Sequence, residues 1–285
     1  MGATMVGENR VAFVGKHVLL AAVLLIVLFP VYWLASMSVK STRELSARPP
    51  TMIVQNFTLQ NFYNILVTQN FFQYAWNSVL VAMTATLIAT TAGSLAAYGL
   101  SRFTLPKNLN YQLLFTVLTV RMFPPSVMVI PIYILFNQEI FGVKLYDTQF
   151  GLGLVHAFIV IPLVVWIMLG FFREIPRDIE EAALVDGDSW LGAFRRQILP
   201  LAAPGLAATA ILVAISSWNE FLFALVLTQR SQTLPIAVAG EITQFDILYG
   251  NLMAGGVFAA VPVVIFALLV QRYIIRGLTL GGVTG

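Results

Sequence analysis

The chain has 285 residues, of which 59% are hydrophobic and only 10% charged, and its mean hydropathy is +0.85. So little charge cannot cover a water-facing surface of this size, which excludes a soluble domain and places the excess apolar area against lipid. A net charge of +3 with no basic tract argues against nucleic acid, and the lack of cysteine excludes disulfides, thiolate metal sites and cysteine nucleophiles. His17 and His156 are too few for a histidine-based metal site, so no metal ligands are assigned.

Six apolar stretches follow in chain order, at roughly 17–38, 78–100, 112–136, 150–172, 202–228 and 252–271. Each supplies about 20 or more residues, enough at ~1.5 Å rise per residue to cross a ~30 Å hydrocarbon core. A β-barrel would show alternating segments of about ten residues, and these are absent. The first stretch is longer than the usual apolar run of a signal peptide and lacks a small-x-small cleavage site, so it reads as a retained helix. The expected fold is all-α: a polytopic membrane protein of six transmembrane helices.

Lys and Arg outside the spans divide ten to five in favour of the side that carries both termini. By the positive-inside rule both termini are cytoplasmic. Lys40, Arg43 and Arg48 cluster on the opposite, outer side. The expected organisation is a cytoplasmic segment 1–16, a transmembrane domain 17–275 with a cytoplasmic loop 173–200, and a cytoplasmic tail 276–285.

The second stretch is rich in Ala, Gly, Ser and Thr, among them Ala85, Ala89 and Gly93, which lets helix backbones approach closely in lipid. The third carries Pro124, Pro125 and Pro131, so a bend or break is expected there. Arg121 lies within the third span, and Trp218, Asn219 and Glu220 lie in the fifth. A charge at the bilayer centre costs at least ~2.5–3.5 kcal/mol and faces a partner or a water-filled cavity. Two readings stand: Arg121, Asn219 and Glu220 line a substrate path with Trp218 offering a ring for stacking, or an Arg–Glu pair or helix–helix hydrogen bonds hold the bundle together. Glu220 also suits an outer gate.

The loop between the fourth and fifth stretches holds six of the thirteen acidic residues. Pro176 followed by Asp178, with Glu181 three residues later, reads as a helix start in which the Asp caps and the Glu reaches back. Ala182, Ala183 and Leu184 continue that helix and Gly187 ends it in a left-handed conformation. Ser189 is placed to cap a second short helix, with Trp190, Leu191, Ala193, Phe194 and Ile198 as apolar positions and Pro200 at its end. By itself such a segment also suits an amphipathic interfacial linker.

Glu181-Ala182-Ala183, then Gly187 and Leu199-Pro200, resembles the cytoplasmic EAA loop of permease subunits of bacterial ABC importers. Gln197 stands where that family usually has an apolar residue, with Ile198 adjacent. Arg121-Met122-Phe123-Pro124-Pro125, Trp218-Asn219-Glu220-Phe221, Thr233-Leu234-Pro235 and Gly277-Leu278-Thr279 are similar to the carbohydrate, maltose-type branch.

The resemblance implies a transport subunit of the bacterial inner membrane rather than an enzyme. Its implied partners are a second permease, two ATPase subunits that bind ATP and Mg, an extracytoplasmic solute-binding protein, and membrane lipid. It implies that Glu181, Ala182, Ala183, Asp186, Gly187, Phe194, Leu199 and Pro200 couple to the ATPase, with Phe194 as an apolar plug. It further implies that Gly281 and Gly282 of the tail reach the ATPase pair, and that the outer loop with Val238, Glu241 and Gln244 meets the binding protein. In the maltose system the sugar is held mainly by the partner permease. The chain itself carries no phosphate-cradling Gly-x4-Gly-Lys-Ser/Thr loop, so no cofactor is assigned to it. An ion-coupled secondary transporter would show paired repeats and interrupted helices in both halves. A membrane enzyme would need a nucleophile with its base or a metal site. Neither pattern is visible.

Overall fold

The computed structural model describes residues 10–139, 142–243 and 247–280. They form helices and connecting segments without a β-sheet, apart from the isolated bridges Lys40 to Phe57 and Ile242 to Ile247. In chain order the α-helices are α1 (Arg10–Ser38), α2 (Thr42–Leu45), α3 (Gln60–Tyr63), α4 (Phe71–Arg102), α5 (Leu109–Val120), α6 (Pro125–Asn137) and α7 (Gln149–Glu174). They continue as α8 (Asp178–Val185), α9 (Trp190–Ala193), α10 (Leu199–Trp218), α11 (Leu222–Leu227), α12 (Leu234–Ala239) and α13 (Tyr249–Leu280).

Five helical segments among the described residues are long and apolar enough to span a bilayer. A sixth span arises if α5, with the short turn before it, and α6 count as one segment bent by 91°. That bend falls where the prolines predict it. Pro124 is extended (φ −61°, ψ 130°) and Pro125 opens α6, so neither can donate the amide that would continue α5. The fifth span departs from expectation. It begins earlier, because α9 passes through a π-turn at Phe194–Ile198 directly into α10, and it stops at Trp218. Asn219 and Glu220 leave the helix, and α11 is a separate short helix.

The chain divides into two compact units, one of residues up to Asn70 with Gly240–Phe258, the other of Phe71–Ala239 with the residues from Ala259 on. In the first unit, Glu44 organises the segment after α1. Its carboxylate accepts hydrogen bonds from the Thr51 hydroxyl (2.7 Å) and from the backbone amides of Gln55 (3.0 Å) and Asn56 (2.8 Å). Burial alone would raise its proton affinity; those hydrogen bonds and Lys40 more than offset it and hold it below the usual range. Lys40 is itself buried, donating to the Thr51 carbonyl and lying 5.1 Å from the Trp33 ring centroid. One member of the Lys40, Arg43 and Arg48 cluster is thus committed to local structure.

In the second unit α4, α7 and α10 pack together around Ala85, Ala89, Ala97, Val164, Met168 and Phe172. The small residues of α4 serve close approach. A Cβ at Gly93 would come within 2.6 Å of Val164 Cγ1, and one at Gly153 of α7 within 2.7 Å of Thr84 Cβ. A second cluster, including Val81, Phe136, Leu152, Phe223 and Leu227, joins α4, α6, α7 and α11.

Candidate functional site

Helix α8 has two unlike faces. Glu180 and Ala183 are buried, whereas Glu181, Ala182, Val185 and Asp186 face outward, Val185 at 87% exposure. The buried face is pinned to the end of α4. Arg102 Nε lies 2.6 Å from Glu180 Oε2, and the Tyr98 hydroxyl donates to Glu180 Oε1. Arg102 also donates to the Ile175 carbonyl (3.1 Å), and Arg177 donates to the Ser101 carbonyl (3.1 Å). Burial and the neighbouring Glu181 push the Glu180 carboxyl up. The guanidinium against it opposes that push and keeps the buried carboxylate paired.

Gly187 has φ +91° and closes α8 as expected from sequence. Its amide donates to Leu184 O (3.1 Å) and the Asp188 amide to Ala183 O (3.0 Å), the paired bonds of a Schellman cap. Ser189 caps α9, its side chain accepting from the Gly192 amide at 3.1 Å. Three local expectations are corrected. Asp178 is not a cap: Arg177 holds the N-cap position and makes no side-chain cap bond. Pro200 does not end the second helix; it sits in the first turn of α10, where a missing amide is tolerated. Phe194 is not a free plug. It is 5% exposed, with its ring 4.5 Å from that of Tyr98 and 6.1 Å from that of Phe172. Exposed apolar side chains are supplied instead by Val185, Trp190 and Leu191. Leu199 is half-buried at the start of α10 and Pro200 is exposed.

Near the break after α10, Glu220 pairs with His156 of α7 rather than with Arg121. His156 is buried (2% exposed), with Nε2 3.0 Å from Glu220 Oε2 and Nδ1 2.8 Å from Ser217 Oγ. A carboxylate only accepts, so the ring proton belongs on Nε2. Glu220 also accepts from the amides of Phe223 (3.0 Å) and Ala224 (3.2 Å), capping α11. Of the two sequence readings, this geometry is the helix–helix hydrogen bond. Trp218 is buried, its indole donating to the Ala259 carbonyl (3.1 Å), so in this conformation it offers no stacking face. Asn219 is exposed and bonded to its own helix at Ile215 O (3.0 Å). Arg121 is exposed at the α5–α6 break, beside a cavity of about 50 Å3 that Ile159 and Phe223 also line.

The segment after α11 is folded. The Leu234 amide donates to Ser78 Oγ (2.8 Å) and α12 follows. Val238 is half-buried there. Glu241 is buried at 4% exposure, within reach of Gln69 Nε2 (3.5 Å), and burial holds its carboxyl above the usual range. Gln244 and the tail residues Gly281 and Gly282 lie outside the described residues.

Three features were not singled out from sequence. In the sequence His156 suggests only imidazole for a metal site. Glu180 was hidden by its neighbour Glu181. Asp147, at φ 58°, accepts through Oδ1 from the amides of Gln229 (2.8 Å), Arg230 (2.9 Å) and Ser231 (3.1 Å) and from the Ser231 hydroxyl (2.9 Å). It ties the residue before α7's N-cap to the segment after α11.

The described residues thus form a membrane bundle in which a two-faced helix is pinned to the end of one span. Residues 89–280 match the model of the binding-protein-dependent transport system inner membrane component, and the chain belongs to that family. It is 38% identical to the trehalose transport system permease protein SugB of Mycobacterium tuberculosis, over 90% of this chain and 93% of that protein. It is 35% identical to the trehalose/maltose transport system permease protein MalG of Thermococcus litoralis, over 92% and 93%. It is also similar in fold to a bacterial ABC transporter involved in the import of the acidic polysaccharide alginate, with 21% identity and a TM-score of 0.76 over 95% of this chain and 99% of that one. The chain is accordingly a multi-pass permease subunit of the ABC importer class.

Proposed function

We propose that this chain, paired with a second permease, forms the path by which an ATP-driven importer moves a sugar or sugar-like solute inward by alternating access. Two ATPase subunits, which bind ATP and Mg, act on it from the cytoplasm, and a solute-binding protein delivers the cargo outside. The carbohydrate assignment rests on relatives named for trehalose, maltose and diacetylchitobiose. The cytoplasmic placement of both termini and of α8 rests on the ten-to-five division of basic residues.

The observation that carries the mechanism is the division of α8 into a pinned and an open face. Glu181, Ala182, Val185 and Asp186 point outward on a helix that cannot slide, because Glu180 is held by Arg102 and Tyr98. A docked ATPase would therefore push on α4 rather than on a slack loop. Glu181 offers a charge-assisted hydrogen bond, worth about 1.5–3 kcal/mol once desolvated. In this reading the small Ala182 allows close approach, and Val185, Trp190 and Leu191 supply the apolar area that Phe194 does not. Gly281 and Gly282 of the tail, and Val238, Glu241 and Gln244 of the outer loop, remain assigned to the ATPase and the binding protein. The buried position of Glu241 makes its role there one of shaping the loop. Arg121 and Asn219, both exposed, are assigned to the wall of the path, with Glu220 and Trp218 bracing it from behind.

The test is sugar uptake and ATPase retention in membranes for Glu181→Lys at normal permease abundance. Loss of both is expected; normal uptake with the ATPase retained overturns the assignment of α8. Identification of the ligand carried by the co-purified binding protein tests the carbohydrate class.

A further inference from the structure

A cavity of about 580 Å3 opens where the end of α4, the start of α5 and the end of α7 meet. Three guanidinium groups line it, from Arg102, Arg173 and Arg177, and no carboxylate does. Arg102 is 9% exposed and its charge is met by Glu180 on one edge. The ion pairs of the described residues include neither Arg173 nor Arg177. Arg177 spends one amino group on the Ser101 carbonyl and keeps its other donors. The rim is apolar and outward-facing: Phe103 is 41% exposed, Leu105 39% and Tyr111 71%. The turn that shapes this rim is fixed by Asn110, which accepts from the Leu105 amide (2.7 Å) and donates to the Phe103 carbonyl (2.6 Å).

Two walls are the ends of apolar spans, α4 and α7, and the third is the start of α5, which together place the cavity near headgroup depth. Uncompensated guanidinium groups at that depth, with apolar side chains at the rim, match one chemistry: a phosphate diester carried on acyl chains. Planar guanidinium forks suit phosphate oxygens, and basic pockets between transmembrane helices take anionic headgroups.

We propose that this cavity binds the headgroup phosphate of an anionic phospholipid, with Arg173 and Arg177 as its main ligands and Arg102 as the buried floor. Because Arg102 and Arg177 also hold α8 to α4, a lipid seated there would stiffen that joint. The inner-leaflet placement rests on the proposed orientation of the chain; the binding itself does not.

The test is native mass spectrometry of the purified importer complex titrated with phosphatidylglycerol or phosphatidylcholine. Phosphatidylglycerol should be retained selectively. Arg173→Gln/Arg177→Gln should weaken that retention about twenty-five-fold, from about five-fold for each basic contact. Lys16→Gln/Arg195→Gln, with the same charge change elsewhere, should leave it intact. Equal retention of phosphatidylcholine, or full retention by the arginine variant, overturns the proposal. Displacement of the lipid by millimolar inorganic phosphate would mean a free-anion site and overturn the lipid assignment. If the double variant fails to assemble, Arg173→Gln alone carries the test, with about a five-fold loss expected and unchanged retention counting against the site.

Discussion

The imidazole of His156 and the carboxylate of Glu220 meet at 3.0 Å between Nε2 and Oε2, although 64 positions separate them in the chain. Glu220 holds two structures at once, the ring on α7 and the first amides of α11. Glu220→Leu removes the cap and leaves His156 buried without that partner. Stability should fall by about 2–3 kcal/mol, one part for the cap and the rest for the orphaned ring. Glu220→Gln retains an acceptor and should lose less than half as much. Thermal unfolding of the detergent-solubilised complex measures both; equal losses would mean that the carboxamide cannot replace the cap.

At Gly187 the backbone, not space, limits substitution, since an added Cβ would meet nothing within 4 Å. Gly187→Ala should therefore cost about 1–2 kcal/mol from φ +91° alone. Gly187→Asn, better tolerated in that conformation, should cost less. A helical readout confined to α8, such as amide hydrogen exchange of Ala183 to Val185, should rank the variants in that order.

The Arg102–Glu180 pair makes a prediction by double substitution. Arg102→Leu leaves a buried carboxylate and should lower folded abundance by the equivalent of about 3–5 kcal/mol. Arg102→Leu/Glu180→Leu removes both charges and should recover much of that loss. Recovery of abundance without recovery of uptake would separate the pair's role in positioning α8 from its role in folding. If the double variant is no more abundant than the single one, the pair is not the principal tie.

Asp147 makes a prediction in pH. Burial raises its carboxyl's proton affinity, but hydrogen bonds from Gln229, Ser231 and Arg230 outweigh this and hold it below the ordinary value. Its contribution is therefore complete above the unfolded-state value of about 4 and is lost as pH falls through the depressed folded value. Amide exchange at Gln229 to Ser231, corrected for intrinsic rates, should be slow at neutral pH and accelerate on acidification. In Asp147→Ala it should be fast at both.

What the sequence revealed follows from the range of the interactions involved. The Pro124-Pro125 break, the left-handed Gly187 and the Ser189 cap are set by neighbours within a few residues, and the structure shows all three. The burial of Phe194 is not legible locally, because it depends on Tyr98 and Phe172, which no local pattern brings together. The end of α10 at Trp218 carries no proline or glycine; it is fixed by Glu220 turning to a histidine on another helix. Asp178 has the residue type of a cap, yet it is already the first helical residue and the N-cap position falls one earlier, on Arg177. The pairing of Glu180 was invisible for the same reason as that of Glu220: its partner lies far back in the chain, at Arg102.

Helix α7 carries both His156, near one end, and Phe172, at the other, where it packs on Tyr98 beside the anchored α8. At ~1.5 Å per residue the two lie about 24 Å apart along a single rod. A tilt of about 5° pivoting at Phe172 would carry His156 sideways by about 2 Å at that radius. Such a displacement exceeds the tolerance of a 3.0 Å hydrogen bond to Glu220. Pro162 interrupts the rod's ladder between them and sets how much of the tilt is lost on the way. If α7 turns as one lever, its long arm ends on a latch, and a small angular stroke at the Phe172 end would be enough to part His156 from Glu220.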